Sequence, residues 1–213
     1  MQKSETFRFG ALLSLSGGLQ DAYTYNMRNG VFANAQTGNV VLMSQNFMSG
    51  EWSKGLHYLF PLLAFAAGII LAERIENRHR YAKKIHWQQI VLIVETVMLT
   101  IVGLLPASYN MIANMMVSFA CAMQVQTFKT VHGYGYASTM CIGNLRGANE
   151  SLSKYIRTKE KAALYKSLYL FGIILMFAIG AGIGGVLSGK LGHATIWVSS
   201  AILLTVTAMM MGE

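Results

Sequence analysis

The sequence predicts an all-α polytopic membrane protein. The expected architecture is six transmembrane helices plus two re-entrant broken segments, arranged as two inverted three-helix repeats. Three observations carry this. First, the 213 residues are 54% hydrophobic and only 12% charged, about half the charge of an ordinary soluble domain. So little charge cannot coat an aqueous surface of this size, and the bilayer is the expected solvent. Second, the apolar residues gather into runs near the ~20 residues a helix needs to cross the hydrocarbon core. Third, a glycine-rich motif recurs 105 residues on: Tyr23 meets Phe128, Gly30 meets Gly135, Ala33 meets Ser138, Gly38 meets Gly143 and Asn39 meets Asn144. A repeat at fixed spacing is architectural information.

The elements follow in order. Lys3 and Arg8 precede a short apolar stretch that ends near Gly18, in the first run, Phe7–Tyr25. No small-residue cleavage site follows it, so it reads as an uncleaved first span. Within it and beyond, Gly17-Gly18-Leu19-Gln20-Asp21-Ala22-Tyr23 reads as a break, with the chain resuming as a helix after Thr37-Gly38-Asn39. Five further runs qualify as spans: 56–72, 89–105, 111–128, 165–187 and 194–211. Two pieces, 31–48 and 136–151, are too short or too polar. The single membrane domain of residues 1–213 then divides into one repeat at about 7–105 and another at about 111–211.

Loop charge sets the orientation. Residues 73–87 carry Arg74, Arg78, Arg80, Lys83 and Lys84, and residues 150–166 carry Lys154, Arg157, Lys159, Lys161 and Lys166. Both loops belong in the cytoplasm, because cytoplasmic loops hold the excess of cations. Only if 31–48 and 136–151 dip in and return can both loops lie inside. Each repeat then crosses three times, which inverts one against the other and puts both termini in the cytoplasm. Eight full spans with parallel repeats would leave five cations outside. The net charge of +8 is explained by these loops, and no nucleic-acid groove is visible.

The pattern Gly18-x-x-Asp21-Ala22, then Gly30-x-Phe32 and Thr37-Gly38-Asn39, resembles the YoaK family, bacterial integral membrane proteins of unknown function. The resemblance spans nearly the whole chain and implies the cytoplasmic (inner) membrane of a bacterium. It implies no activity. The second motif departs from the family pattern, with Met123-Gln124-Val125-Gln126-Thr127 and Ile142-Gly143-Asn144.

Asp21 is the leading site candidate. Counting ~1.5 Å per residue from Phe7 places it about 20 Å into the core, where an ionisable group is costly and functional by default. The bland reading makes it a partner for Arg28. Glu95 sits mid-run in 89–105 and is the second proton or charge candidate, weighed against a plain helix contact. The two turns supply the rest of the expected substrate-binding set: Thr37, Gly38, Asn39, Gly143 and Asn144, with Gln126. Thr37 is expected to cap the helix after it, and Gly38 and Gly143 to permit tight backbone. Gln124, Gln126 and Asn114 could line a polar path or simply bond between helices.

Other features take the bland reading. Gly180-Ala181-Gly182-Ile183-Gly184-Gly185 matches a dinucleotide pattern but has no preceding strand. Ala181, Gly185 and Gly189, like Ala64, Gly68 and Ala72, are spaced for close helix packing. Cys121 and Cys141 read as inert thiols. No catalytic set, metal site or cofactor motif emerges, so an enzyme ranks last. The expectation is a small-solute transporter or channel, with a central site formed by the two Gly-Asn motifs and taking a small anion or neutral polar solute. The alternative is a scaffold or small subunit packing through Gly/Ala-rich faces. Lipid and a small solute are the expected partners, nucleic acid is not, and homo-oligomerisation is left open.

Overall fold

The computed structural model describes residues 5–79 and 86–210. Arg80, Lys83 and Lys84 of the first cationic loop lie outside these. The chain is all-α, apart from a two-residue hairpin pairing β1 (Thr130–Val131) with β2 (Tyr134–Gly135). The helices are α1 (Phe7–Met27), α2 (Gln36–Met48), α3 (Trp52–His79), α4 (Trp87–Leu104), α5 (Asn110–Thr127), α6 (Cys141–Thr158), α7 (Lys161–Leu191) and α8 (Ile196–Met210). By length and composition, α3, α4 and the continuous helical stretch Lys161–Met210 suffice to cross a membrane.

The first correction concerns Gly17 and Gly18. They do not break the chain, because α1 runs through them without interruption. Their role is close approach. A Cβ on Gly18 would stand 2.0 Å from the Phe177 carbonyl oxygen, and one on Gly180 2.0 Å from that of Leu15. Two helix backbones touch here, which only glycine permits. The chain breaks instead at 28–35, where Asn29 and Gly30 adopt φ of 64° and 73°. Asparagine and glycine are the residues that tolerate this left-handed region.

The same contact corrects the packing face of α7. Gly180 and Gly184 meet α1, whereas Gly182, Gly185 and Gly189 have open space where a Cβ would go. On α3 the expected face is used, with a Cβ on Gly68 falling 2.4 Å from the Phe119 carbonyl oxygen of α5. α1 thus lies on α7, α3 on α5, and α4 on α8, while the short helices α2 and α6 lie on α3 and α7.

α2 has 13 residues, about 20 Å of helix, too little to span a core of about 30 Å. α6 is amphipathic. It buries Asn144, Ala148 and Ser151 and holds Arg146 and Glu150 in an exposed ion pair. The core between the long helices is apolar, built on Leu13, Leu92, Leu99, Val117 and Leu203, but it encloses many polar side chains.

Candidate functional site

Two short stretches of irregular backbone, 28–35 and 136–140, lead into α2 and α6. Each is held by an asparagine one turn into its helix. Asn39 accepts from the Phe32 amide at 3.3 Å and donates to the Phe32 carbonyl at 2.7 Å. Asn144 accepts from the Ala137 amide at 3.1 Å and donates to its carbonyl at 2.6 Å. Both reach back seven residues, and the two clamps stand 105 residues apart. In a bilayer such backbone groups have no water to turn to, so each clamp stabilises the chain where regular hydrogen bonding stops.

The two helix starts meet. Residues Ala35, Gln36 and Thr37 from one side and Met140, Cys141, Ile142 and Gly143 from the other line a single cavity of about 530 Å³. Asp21 from α1 and Phe177 and Ala181 from α7 complete its wall, with Phe32, Asn34 and Thr139. Asp21 is nearly buried, at 6% exposure. One carboxylate oxygen accepts from the Asn34 amide at 2.7 Å, while the neighbouring Ala33 amide donates to the Thr24 hydroxyl at 3.3 Å. The Asn34 bond ties Asp21 to the turn that leads into α2. The Asn34 side chain fixes the turn by donating to the Gly17 carbonyl at 3.0 Å.

Thr37 and Gly143 line the cavity. Thr37 does not cap α2, however, because the helix begins at Gln36 with Ala35 at the capping position. Nor do Gly38 and Gly143 adopt positive φ; each lies in the first turn of an ordinary helix, and a Cβ on Gly38 would rest 3.4 Å from the Phe32 ring. Asn39 and Asn144 turn their amides to backbone rather than into the cavity. Gln126 is half-buried and outside the lining. Its neighbour Gln124 instead donates to the Ser138 hydroxyl at 2.8 Å.

Asp21 makes no pair with Arg28. That guanidinium is fully buried and donates from Nε to the Tyr23 hydroxyl at 2.8 Å. Its remaining donors go to Pro106 O at 3.4 Å, Asn110 Oδ1 at 2.9 Å, Val102 O at 2.8 Å and Leu105 O at 2.9 Å. All five N–H groups are used, and the charge caps the carbonyl end of α4, where a cation is stabilised. Beyond α7, His193 is held below the ordinary imidazole value, first by burial and then by the charge of Arg28.

Glu95 lies elsewhere. It is fully buried on α4, and its Oε1 accepts from Gln20 Nε2 at 3.3 Å. The same nitrogen reaches Ser16 Oγ and Ser199 Oγ, each at 3.0 Å, while the Cys121 thiol donates to Gln20 Oε1 at 2.7 Å. Glu95 Oε2 has no partner. Gln20 and Asp21 are adjacent on α1 but serve different places, Gln20 the polar cluster and Asp21 the cavity. Sequence reasoning missed Asn34 and Thr139 at the cavity. The signal was present, since they are one repeat spacing apart.

An all-helical body with apolar helices long enough to cross a bilayer, buried polar clusters and a cavity at the start of two interrupted segments defines an integral membrane protein. The chain belongs to the family described as "Protein of unknown function (DUF1275)", whose profile matches residues 9–209. It is 24% identical over 216 residues to the UPF0700 transmembrane protein YoaK of Bacillus subtilis (strain 168), covering 95% of each chain. No solved structure matches it.

Proposed function

We propose that the protein is a small-solute transporter or channel of the bacterial cytoplasmic membrane, working without enzymatic chemistry. The cavity shared by the starts of α2 and α6 is its central site. That convergence is the observation that carries the reading. A non-catalytic scaffold has no need of two interrupted segments, each with a dedicated asparagine clamp, walling one cavity with a carboxylate in it. Broken helices meeting at mid-membrane are how many secondary transporters build a solute site. The positive ends of α2 and α6 favour a small anion or a neutral polar solute.

Two inverted repeats accompany this reading. α1, α3, α4, α5, α7 and α8 form six crossings, and α2 and α6 dip in and return. The equal clamps of Asn39 and Asn144 support it, as does the packing. If α1 to α4 correspond to α5 to α8, then α1 on α7 matches α5 on α3, and α4 packs on its own counterpart α8. A two-fold relation requires that pairing.

Purified protein in vesicles, screened for flux of small anions and neutral polar solutes, tests the reading. Wild type should carry at least one solute class, and Ala181→Trp, which fills the cavity, should abolish it. Absence of flux across the panel would refute transport. The scaffold reading draws on the open strip at Gly182, Gly185 and Gly189, which offers a partner helix a close seat. It predicts a stable complex lost on Gly185→Leu and no flux.

A further inference from the structure

We propose that the cavity takes a small zwitterion, an α-amino acid with an apolar side chain. This rests on the transport reading and narrows its solute class.

The two helix starts are related by position but not by chemistry. The turn into α2 is answered from within the chain, because the Asp21 carboxylate takes the amide of Asn34 at 2.7 Å. The α6 start has no such answer. Met140 stands at its capping position and no side chain bonds to the first turn. The residue one repeat on from Asp21 is Gln126, which lies outside the cavity wall. A carboxylate is therefore built in at one helix start and missing at the other. The open amides of an 18-residue helix are where an external carboxylate binds.

A second, independent observation concerns the opposite charge. Asn34 Oδ1 and Thr139 Oγ1 have no hydrogen-bond partner. Their residues are 2% and 3% exposed, and both line the cavity. Of the fifteen buried side-chain atoms without a partner among the described residues, these two alone belong to the cavity wall, where a ligand that donates would satisfy them. With the Asp21 carboxylate they make three acceptors, the number of hydrogens on a primary ammonium group. An anion alone would leave these acceptors empty and meet the charge of Asp21. An amine alone would leave the α6 amides empty. Phe32, Met140, Ile142 and Phe177 supply the remaining wall, which suits an apolar side chain.

Binding, rather than flux, tests this on the full-length protein in detergent. The probes are L-alanine, L-leucine and L-phenylalanine, with isopentylamine and 4-methylpentanoate as the two halves of leucine. At least one amino acid should bind, with leucine binding at least tenfold tighter than either half. Asp21→Asn should weaken leucine tenfold or more and tighten 4-methylpentanoate, which no longer meets a like charge. Thr139→Val should act in the same direction to a smaller degree. Cys141→Pro removes one amide at the first helical position, where proline is accommodated and the extended Met140 already fits it. It should weaken leucine and leave isopentylamine unchanged. Circular dichroism and a wild-type melting profile certify each variant. Binding of none of the three amino acids, or equal binding of leucine and isopentylamine, would overturn the proposal. Flux of another solute without amino-acid binding would overturn it and spare the transport reading, whereas amino-acid binding without flux would do the reverse.

Discussion

Replacing Arg28 by methionine should cost the protein more than any other single change of a polar side chain. The residue is fully buried, and its five N–H groups reach five acceptors at 2.8 to 3.4 Å on α1, α5 and the end of α4. Methionine fills much of the volume and makes none of these bonds. Side-chain hydrogen bonds between membrane helices average about 0.6 kcal/mol, so five contribute about 3 kcal/mol if they act as neutral ones. A charged donor raises this, and removing one side of a buried charged network costs about 3–5 kcal/mol. The expected loss is about 4 kcal/mol, which in a chain of this length corresponds to a fall in melting temperature of about 8–16 °C. Arg28→Lys should recover only part of it, since three donors on a point charge cannot span a fork of five acceptors. Thermal unfolding in detergent, followed by circular dichroism, measures both. A melting point within 2 °C of wild type for the methionine variant would refute the staple role of Arg28.

Four further outcomes are expected. Gly18→Val and Gly180→Val should each cost at least ~3 kcal/mol by overpacking a backbone contact, while Gly182→Val, with open space around it, should stay within about 0.5 kcal/mol; the same melting assay ranks the three. Glu95→Leu should leave stability unchanged or raised, since it deletes an oxygen with no partner and Gln20 keeps both serines, so a loss of flux in that variant would assign Glu95 to mechanism; a clear loss of stability would instead mark it as structural. Cysteine labelling in intact cells should reach positions 51 and 54 from outside and positions 80 and 159 only from inside, and external labelling at 159 would break the inverted-repeat topology. His193 binds a proton less readily in the folded chain than in the unfolded one, so its stabilising contribution is present above the ordinary imidazole value and is lost as pH falls through the lowered one; His193→Gln should flatten that slope in melting point against pH, and an unchanged slope would remove the group from the pH response.

Much of the fold was legible because lipid solvation imposes a local rule. The apolar run 111–128 became α5 at Asn110–Thr127 because nothing distant was needed to read it. Gly17 and Gly18 show the limit. A glycine pair marks either a turn or a close approach, and the deciding atom, the Phe177 carbonyl oxygen, lies some 160 residues away. Thr37 was read as a cap from its chemistry, yet the capping position falls two residues earlier, at Ala35, and leaves no vacancy for it. Asn39 and Asn144 stood out as a pair, but whether an amide faces a solute or its own backbone depends on the chain path seven residues before it. Asn34 and Thr139 were overlooked because the repeat preserves their position and not their residue type.

The contact between Gly18 and Phe177 has a consequence for how the chain is made. In the proposed six-crossing topology α1 enters the membrane well before its interlocking partner α7. Until α7 and α8 emerge, the glycine face of α1 lacks its seat on α7, and Ser16 and Gln20 lack Ser199. In that topology α1, which buries Ser14, Gln20, Asp21 and Thr24 in the finished protein, is poorly lipid-soluble during synthesis and needs shelter beside the insertion machinery or an assistant protein. Nascent chains halted before residue 161 should be caught by membrane quality-control proteases, and chains released after α8 should escape them.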